Sequence, residues 1–481
     1  MTELHTNSLI QLTKLLETQA LSSAELTRYY LERSKNMQKD LNAYITITEG
    51  LAIETAHRVD ALRPQGRLEP LAGVPMAIKD NIATRGIPTT SASRLLKGYI
   101  SPFDAAVVDK LALSPMLGKA NLDEFAMGTA NKTSAFGPVA NPWNLQLVPG
   151  GSSGGSAALV AAGCAPFSLG SDTGGSIRQP AAFCGVTGFK PTYGRVSRRG
   201  LVPLASSLDQ IGPIARSIAD CALVLQAICG HDPGDATSSP QRVPDFAASL
   251  VEDVRGVRIG LLRENFCKCP DTAISSAVER AARELEQAGA ELDWVSMPYE
   301  DEVLTAYMLT ATAEAYSNLA RIDGVKFGVR GEGQTLDEMY AASRQFGNTV
   351  RRRLMLGAFA LGKDNCSECY ERGRGLGQLI ARHLENLFED CDVLLLPTTP
   401  SAAFALKEDQ DPLKVYYNDI YTIPANLAGL PAVSVPCGLS NGLPIGMQLM
   451  APRFREDLLI RVGYTWQRIS DWHLRWPQGV N

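Results

Sequence analysis

No apolar run in this chain approaches the roughly 20 residues needed to cross a bilayer. Its first residues, Met1-Thr-Glu-Leu-His-Thr-Asn, lack the basic-then-apolar pattern of a signal peptide. A cytoplasmic protein with no membrane contact is therefore expected. Charge of one sign is also lacking. Against 51 Asp and Glu stand 46 Lys and Arg, a net charge of −5, which gives no general electrostatic reason to hold a polyanion. The densest basic cluster is Arg351-Arg-Arg353. Ten cysteines in 481 residues are too sparse for a disulfide framework and suit reduced thiols. Cys267-Lys-Cys269 and Cys366-Ser-Glu-Cys369 could together ligate zinc. Neither pair has further ligand-type residues at zinc-ribbon spacing, so separate thiols and no metal are expected. There is no internal repeat and no low-complexity segment.

What is present is an ordinary globular composition, 45% hydrophobic and 20% charged. Ser22-Ser-Ala-Glu25 is a capping box that opens a helix through about Asn36. Strands are expected at 43–48, 74–80, 165–169, 257–262, 393–397, 432–436 and 446–451, and helices at 51–62, 157–162, 217–229 and 273–289. Strands alternate with helices, so the class is α/β. We expect one domain over 1–481, with a peripheral region at about 240–345.

The chemistry concentrates in residues 149–191. They read Pro-Gly-Gly-Ser-Ser-Gly-Gly-Ser-Ala-Ala, an apolar stretch, Gly-Ser-Asp-Thr-Gly-Gly-Ser-Ile-Arg-Gln-Pro, then Phe-Cys-Gly-Val-Thr-Gly-Phe-Lys-Pro. Ser152 and Ser176 are flanked by glycines, which let the backbone approach a ligand and turn N–H groups inward. Gly150-Gly-Ser-Ser-Gly154 fits a nucleophile elbow, but that turn needs a strand before it and a histidine after it. Gln146-Leu-Val-Pro149 is a poor strand. Only His231, His383 and His473 follow, and each suits an ordinary turn, helix or terminal position. A serine without histidine needs another base, and a lysine made neutral by burial can serve. Lys79, in Met76-Ala-Ile-Lys-Asp-Asn-Ile82, fits; the plainer alternative is a strand-end lysine in solvent. Either serine could be the nucleophile. Ser176 has the amides of Thr173 to Ser176 around it, and Ser152 could relay a proton to Lys79. A flexible Gly-Ser linker is the rival reading, disfavoured because an apolar helix follows at once.

The block Gly150 to Pro191, together with Lys79, resembles the amidase signature family, and the likeness runs over nearly the whole chain. That resemblance implies a central mixed β-sheet covered by helices on both faces. It implies Ser176 as nucleophile, Ser152 after a cis peptide bond, Lys79 as base, and an oxyanion hole from the amides of Thr173, Gly174, Gly175 and Ser176. Within the family, Asp123-Glu-Phe-Ala-Met-Gly128, Asn141-Pro-Trp-Asn144, Ser317-Asn-Leu-Ala-Arg321, Arg352-Arg-Leu-Met-Leu-Gly357 and Asn426-Leu-Ala-Gly-Leu-Pro431 are similar to the glutamine-hydrolysing subunits of tRNA-dependent amidotransferases. This implies ammonia passed to a B subunit, which uses ATP and Mg²⁺ to amidate a misacylated tRNA, Glu-tRNA(Gln) or Asp-tRNA(Asn). A small C subunit clamps the two, and this chain carries no cofactor. The resemblance places the α-carboxylate of glutamine on Arg353, its α-ammonium on Asp419, and Met127 and Tyr307 in the pocket. A zwitterion does need one cation and one anion. Taken alone, Arg353 reads as part of a solvated basic cluster and Asp419 as a helix N-cap. The segments Leu111–Leu117 and Gly362–Cys369 depart from the family pattern away from the serines and lysine. Two rivals stand beside this reading: a stand-alone amidase for another small carboxamide, and a catalytically silent scaffold.

Overall fold

A computed structural model describes residues 3–66, 68–407 and 412–478. Its centre is one mixed sheet of 11 strands. In chain order these are β1 (Tyr44–Ile47), β2 (Met76–Lys79), β3 (Met116–Ala120), β4 (Phe167–Asp172), β5 (Thr187–Lys190), β6 (Gln210–Ala215), β7 (Arg258–Leu262), β8 (Glu291–Val295), β9 (Val393–Pro397), β10 (Ala432–Ser440) and β11 (Leu443–Met450). Their order across the sheet is β1-β3-β2-β4-β6-β5-β10-β11-β9-β7-β8. The pairs β3/β2, β2/β4, β9/β7 and β7/β8 are parallel and the rest antiparallel. Helices surround the sheet, as an α/β reading requires.

Several expected elements differ in length, each for a local reason. The helix opened by Ser22 runs over Ser23–Leu41, past Asn36, and stops where Asn42 turns left-handed at φ 51°, a standard helix stop. Its capping box is present, with Ser22 and Glu25 exchanging backbone hydrogen bonds. The strand expected at 165–169 begins at Phe167 and continues to Asp172, because β6 pairs with it from Phe167↔Ala215 to Asp172↔Gln210. The region at 240–345 supplies β7 and β8 to the far edge of the sheet. Strands β3, β5, β6 and β8 and the helices Glu300–Leu319 and Asn348–Ala360 had no counterpart in the sequence reading.

Two parallel neighbours position the site. β2 and β4 pair through Ala77↔Ser168 and Ile78↔Leu169, so Lys79 and Asp172 leave the sheet at the same, carboxyl-terminal edge. In parallel α/β sheets that edge is where ligands bind. All four residues of β2 are buried. The helix Gly154–Ala161 is buried along its whole length and follows Ser152 directly. A second layer, the helices Glu300–Leu319, Asn348–Ala360 and Arg372–Asp390, packs together and carries Tyr307 and Arg353. Among the described residues no helix is long and apolar enough to cross a membrane.

Candidate active site

Lys79 is wholly inaccessible to solvent. Its Nζ donates to Ser152 Oγ at 2.8 Å, Ser153 Oγ at 2.7 Å, Ser171 Oγ at 2.9 Å and the Ser171 carbonyl at 3.2 Å. None of these partners is a carboxylate. Burial therefore lowers the amine to about 7, against the more distant pull of Asp123, Asp172 and Asp209. A lysine in this state is half neutral near pH 7 and can accept a proton. The solvent-exposed alternative is thereby excluded.

Ser152 follows a cis peptide bond, Gly151–Ser152. The loop is held from both sides. Gly151 N–H donates to Gln179 Oε1 at 2.9 Å, and Gln179 Nε2 donates to the Thr129 carbonyl at 2.9 Å. A Cβ on Gly151 would lie 2.2 Å from Asp123 Oδ2, so only glycine fits beside that carboxylate. Asp123 in turn accepts from the amides of Asn131 at 2.8 Å and Lys132 at 3.1 Å and from Thr133 Oγ1 at 2.8 Å.

Ser176 lies in the loop between β4 and the helix Arg178–Cys184 and is 7% exposed. Its carbonyl accepts from Ser153 N–H at 3.1 Å, tying the two serine loops together. Its Oγ has no hydrogen-bond partner among the described residues. Asp172 braces the loop: its carboxylate accepts from Gly175 N–H at 2.8 Å and Ile177 N–H at 3.1 Å. It also receives Arg178 Nη2 at 3.0 Å and Nε at 3.1 Å, and Asn426 Nδ2 at 2.9 Å. Burial would raise this carboxyl, but the Arg178 pair and these donors hold it at about 2, so it stays ionised. Gly175 N–H, one of the four expected oxyanion donors, thus already has an acceptor in Asp172, and Gly175 also supplies the backbone turn, at φ 137°. The amides of Thr173, Gly174 and Ser176 have no acceptor among the described residues. Asp209 accepts from Thr173 Oγ1 at 2.6 Å.

The second layer closes over this loop. A Cβ on Gly174 would lie 2.8 Å from Tyr307 Cζ, so the Tyr307 ring rests directly on the backbone before Ser176. Burial pushes the Tyr307 phenol up to about 12. Thr422 Oγ1 donates to the Gly174 carbonyl at 2.6 Å, and one turn earlier the Asp419 carbonyl accepts from Thr422 N–H at 3.0 Å. The Asp419 side chain is buried, and among the described residues its Oδ1 has no hydrogen-bond partner. Burial, and after it the Asp172 carboxylate, push its carboxyl well above the usual range. Arg353 is 3% exposed, so it is not the solvated cluster member that its neighbours suggest. Among the described residues it has no carboxylate within salt-bridge distance. Its partner is Tyr416, with Nε to Oη at 3.4 Å and the guanidinium carbon 4.6 Å from the ring centre. Asp419 is not an N-cap; the nearby helix Ile423–Leu427 starts after Thr422. Met127 is buried in the turn after the short helix Glu124–Ala126.

The site contains groups that the sequence reading passed over. Ser153 and Ser171 complete the Lys79 shell, Asn81 Nδ2 donates to Ser171 Oγ at 2.9 Å, and Arg178 Nη1 reaches Gln448 Oε1 at 2.6 Å. The adjacent pair Ser152-Ser153 was the available signal for the first. No histidine joins this set: His231 meets the Ser238 carbonyl and His383 the Ser296 carbonyl, and Gln146–Pro149 forms no strand. All ten cysteines are unpaired thiols, and no group of three or more metal-ligating side chains gathers among the described residues.

Comparison with known proteins shows the family. Residues 25–460 match the amidase family model. The chain is 50% identical over 474 residues, 97% of each chain, to the A subunit of the glutamyl-tRNA(Gln) amidotransferase of Moorella thermoacetica. The crystal structure of the corresponding glutamyl-tRNA(Gln) amidotransferase chain of Thermotoga maritima superposes with a TM-score of 0.80 at 40% identity, covering 96% of this chain and 94% of that one. A bacterial aryl acylamidase superposes with a TM-score of 0.86 at 27% identity, covering 98% of each. The backbone is thus shared among enzymes whose names give different amides, and backbone likeness does not discriminate among substrates.

Proposed function

This chain belongs to the amidase family, and from its site we propose that it is the glutamine-hydrolysing subunit of a glutamyl-tRNA(Gln) amidotransferase. The observation that carries the substrate is a buried cation and a buried carboxyl that are not paired with each other. Among the described residues Arg353 has no carboxylate at salt-bridge distance and Asp419 Oδ1 has no hydrogen-bond partner. Without a cation beside it the buried Asp419 carboxyl favours its proton, and a free amino acid supplies the missing partner to each: its α-carboxylate to Arg353 and its α-ammonium to an ionised Asp419. In this reading Tyr307 and Met127 would bound the space between, and the side-chain amide of glutamine would reach Ser176.

The chemistry proceeds in balanced proton transfers. Neutral Lys79 takes the Ser152 proton while Ser152 takes that of Ser176, and Ser176 Oγ bonds to the amide carbon. The amides of Thr173, Gly174 and Ser176 receive the negative oxygen. The proton returns along the same path to the leaving nitrogen, and ammonia departs. A γ-glutamyl ester on Ser176 remains. Water adds to it with the same relay, giving glutamate and free enzyme. Ser152 needs its hydrogen bond to Lys79, which is already 2.8 Å long.

Ammonia made here serves the B and C partners. The B subunit would bind ATP and Mg²⁺ and most of the tRNA, and the complex would act in the cytoplasm. The amidase chemistry is blind to the acid that the partner activates, so Asp-tRNA(Asn) would be served equally. The test is ammonia release from glutamine by the purified chain, alone and with both partners, ATP and Glu-tRNA(Gln). Weak release that rises in the complex, with Gln-tRNA(Gln) formed, is expected. Vigorous hydrolysis of unrelated amides, indifferent to partners and tRNA, would make it a stand-alone amidase instead.

A further inference from the structure

One aromatic side chain beside this site has a place that neither the motifs nor the resemblance assigns. Tyr416 lies in the short helix Pro412–Tyr417, three residues before Asp419, and its carbonyl accepts from Asp419 N–H at 3.1 Å. One turn of chain therefore carries both groups: Asp419 goes into the buried site and Tyr416 goes over the outer side of Arg353. The Tyr416 ring lies 4.6 Å from the guanidinium carbon and its hydroxyl 3.4 Å from Nε. Tyr416, together with Arg352, lines two cavities. One, of about 220 Å³, is lined by Asp123, Gly128 and Thr129. The other, of about 490 Å³, is lined by Leu304, Met308 and Leu356 and by Arg353 itself.

We propose that Tyr416 is a positioning residue for substrate recognition: it stacks on Arg353, fixes the plane of the guanidinium, and keeps solvent off the cation that receives the glutamine α-carboxylate. The physical case has two parts. A long arginine side chain loses its single geometry unless something holds it, and a ring on one face with a hydroxyl on Nε leaves the Nη edge for the ligand. Without the ring that face of the buried guanidinium is uncovered, water reaches it, and its attraction for a carboxylate weakens as the local dielectric rises. The inference rests on the glutamine reading given above.

The experiment uses the assembled complex and reads KM and kcat separately for Tyr416→Ala and Tyr416→Phe, each with native Arg353 and with Arg353→Ala. Tyr416→Ala is expected to raise KM for glutamine about tenfold, the size of one lost cation–π contact in a desolvated site, with kcat falling less than about threefold. Tyr416→Phe keeps the ring and loses only the weak hydroxyl contact, so its KM is expected to rise about two- to threefold. With Arg353→Ala already present, Tyr416→Ala is expected to add little, because contacting residues are non-additive. Propionamide, which has no carboxylate, serves as the control substrate. If Tyr416→Ala depresses its hydrolysis as much as that of glutamine, or if the two substitutions simply add, the inference is overturned. A KM raised by Arg353→Ala but not by Tyr416→Ala overturns this inference alone. A KM unmoved by Arg353→Ala overturns the glutamine reading and this inference with it.

Discussion

The two ends of the site differ in how their polar groups are satisfied. At the serine end, set in residues 76–210, Lys79 donates to three hydroxyls and a carbonyl. Asp172 receives two amides, a bidentate arginine and an asparagine. At the other end, set in residues 300–420, Asp419 Oδ1 has no hydrogen-bond partner among the described residues, and Arg353 meets the Tyr416 phenol rather than a carboxylate. At the first end the charged groups are already held without substrate, as groups that position a nucleophile must be if they are not to reorganise during reaction, and only the Ser176 hydroxyl and the amides around it stay open for the reacting amide. At the second the charge-bearing groups themselves lack partners, and those missing partners describe the ligand. Chemistry and selection are thus separable by which charge-bearing groups are already paired.

If that separation is right, the ends fail differently when cut. The largest effect is expected from Ser176→Ala: glutamine-dependent ammonia release falls by at least about 10³-fold, whatever amide is supplied, because the nucleophile is gone. A γ-glutamyl ester trapped on this variant would sink the assignment. Lys79→Met is expected to cost about 10³-fold as well, again for every substrate. In the native enzyme, Lys79 acts only when neutral, and burial holds it at about 7. Protonation therefore removes activity as pH falls: kcat/KM should drop about tenfold per unit below that value and level off above it. A profile flat down to pH 5.5 would remove Lys79 from the role of base.

The same contrast explains what the sequence let a reader see. Lys79, Ser152 and Ser176 were legible because glycines on both sides of a serine, and an apolar strand ending in lysine, are local signals. Ser171 and Asp172 were not, because the strand that carries them extends beyond its apolar part through pairing with β6. That partner, Gln210-Ile-Gly-Pro-Ile-Ala215, contains Gly212 and Pro213, which argue against a strand. Arg353 and Asp419 were reached only through resemblance. Their burial comes from helices packed across the site from far along the chain, and nothing local distinguishes Arg353 from the exposed Arg351 and Arg352. The bond from the Gly175 amide to Asp172 was out of reach for the same reason as Asp172 itself, since it ties a loop amide to the end of the extended strand β4.

Cuts at the selecting end should be smaller and substrate-dependent. Arg353→Ala and Asp419→Asn are each expected to raise KM for glutamine roughly 100-fold, the loss of one desolvated charge pair. Hydrolysis of propionamide should change far less. Steady-state kinetics with the two substrates checks this, and equal losses on both would show that these residues hold the fold rather than the ligand.

The smallest effect falls where the ends meet. Gly174 belongs to the serine loop, yet a Cβ there would lie 2.8 Å from Tyr307 Cζ and 3.0 Å from its hydroxyl. Thr422 Oγ1 holds the Gly174 carbonyl from the other side, so the loop cannot retreat and the ring must move. Gly174→Ala should therefore displace Tyr307 while leaving Lys79, Ser152 and Ser176 in their hydrogen bonds. The expected result is a KM for glutamine raised about five- to tenfold, since a displaced ring loses packing worth about 1 kcal/mol. Tyr307→Ala should relieve the crowding, so adding Gly174→Ala to it should have almost no further effect. A Gly174→Ala enzyme that instead loses kcat on propionamide and glutamine alike would show that the substitution had reached the oxyanion amides, and that the two ends are not separable at this residue.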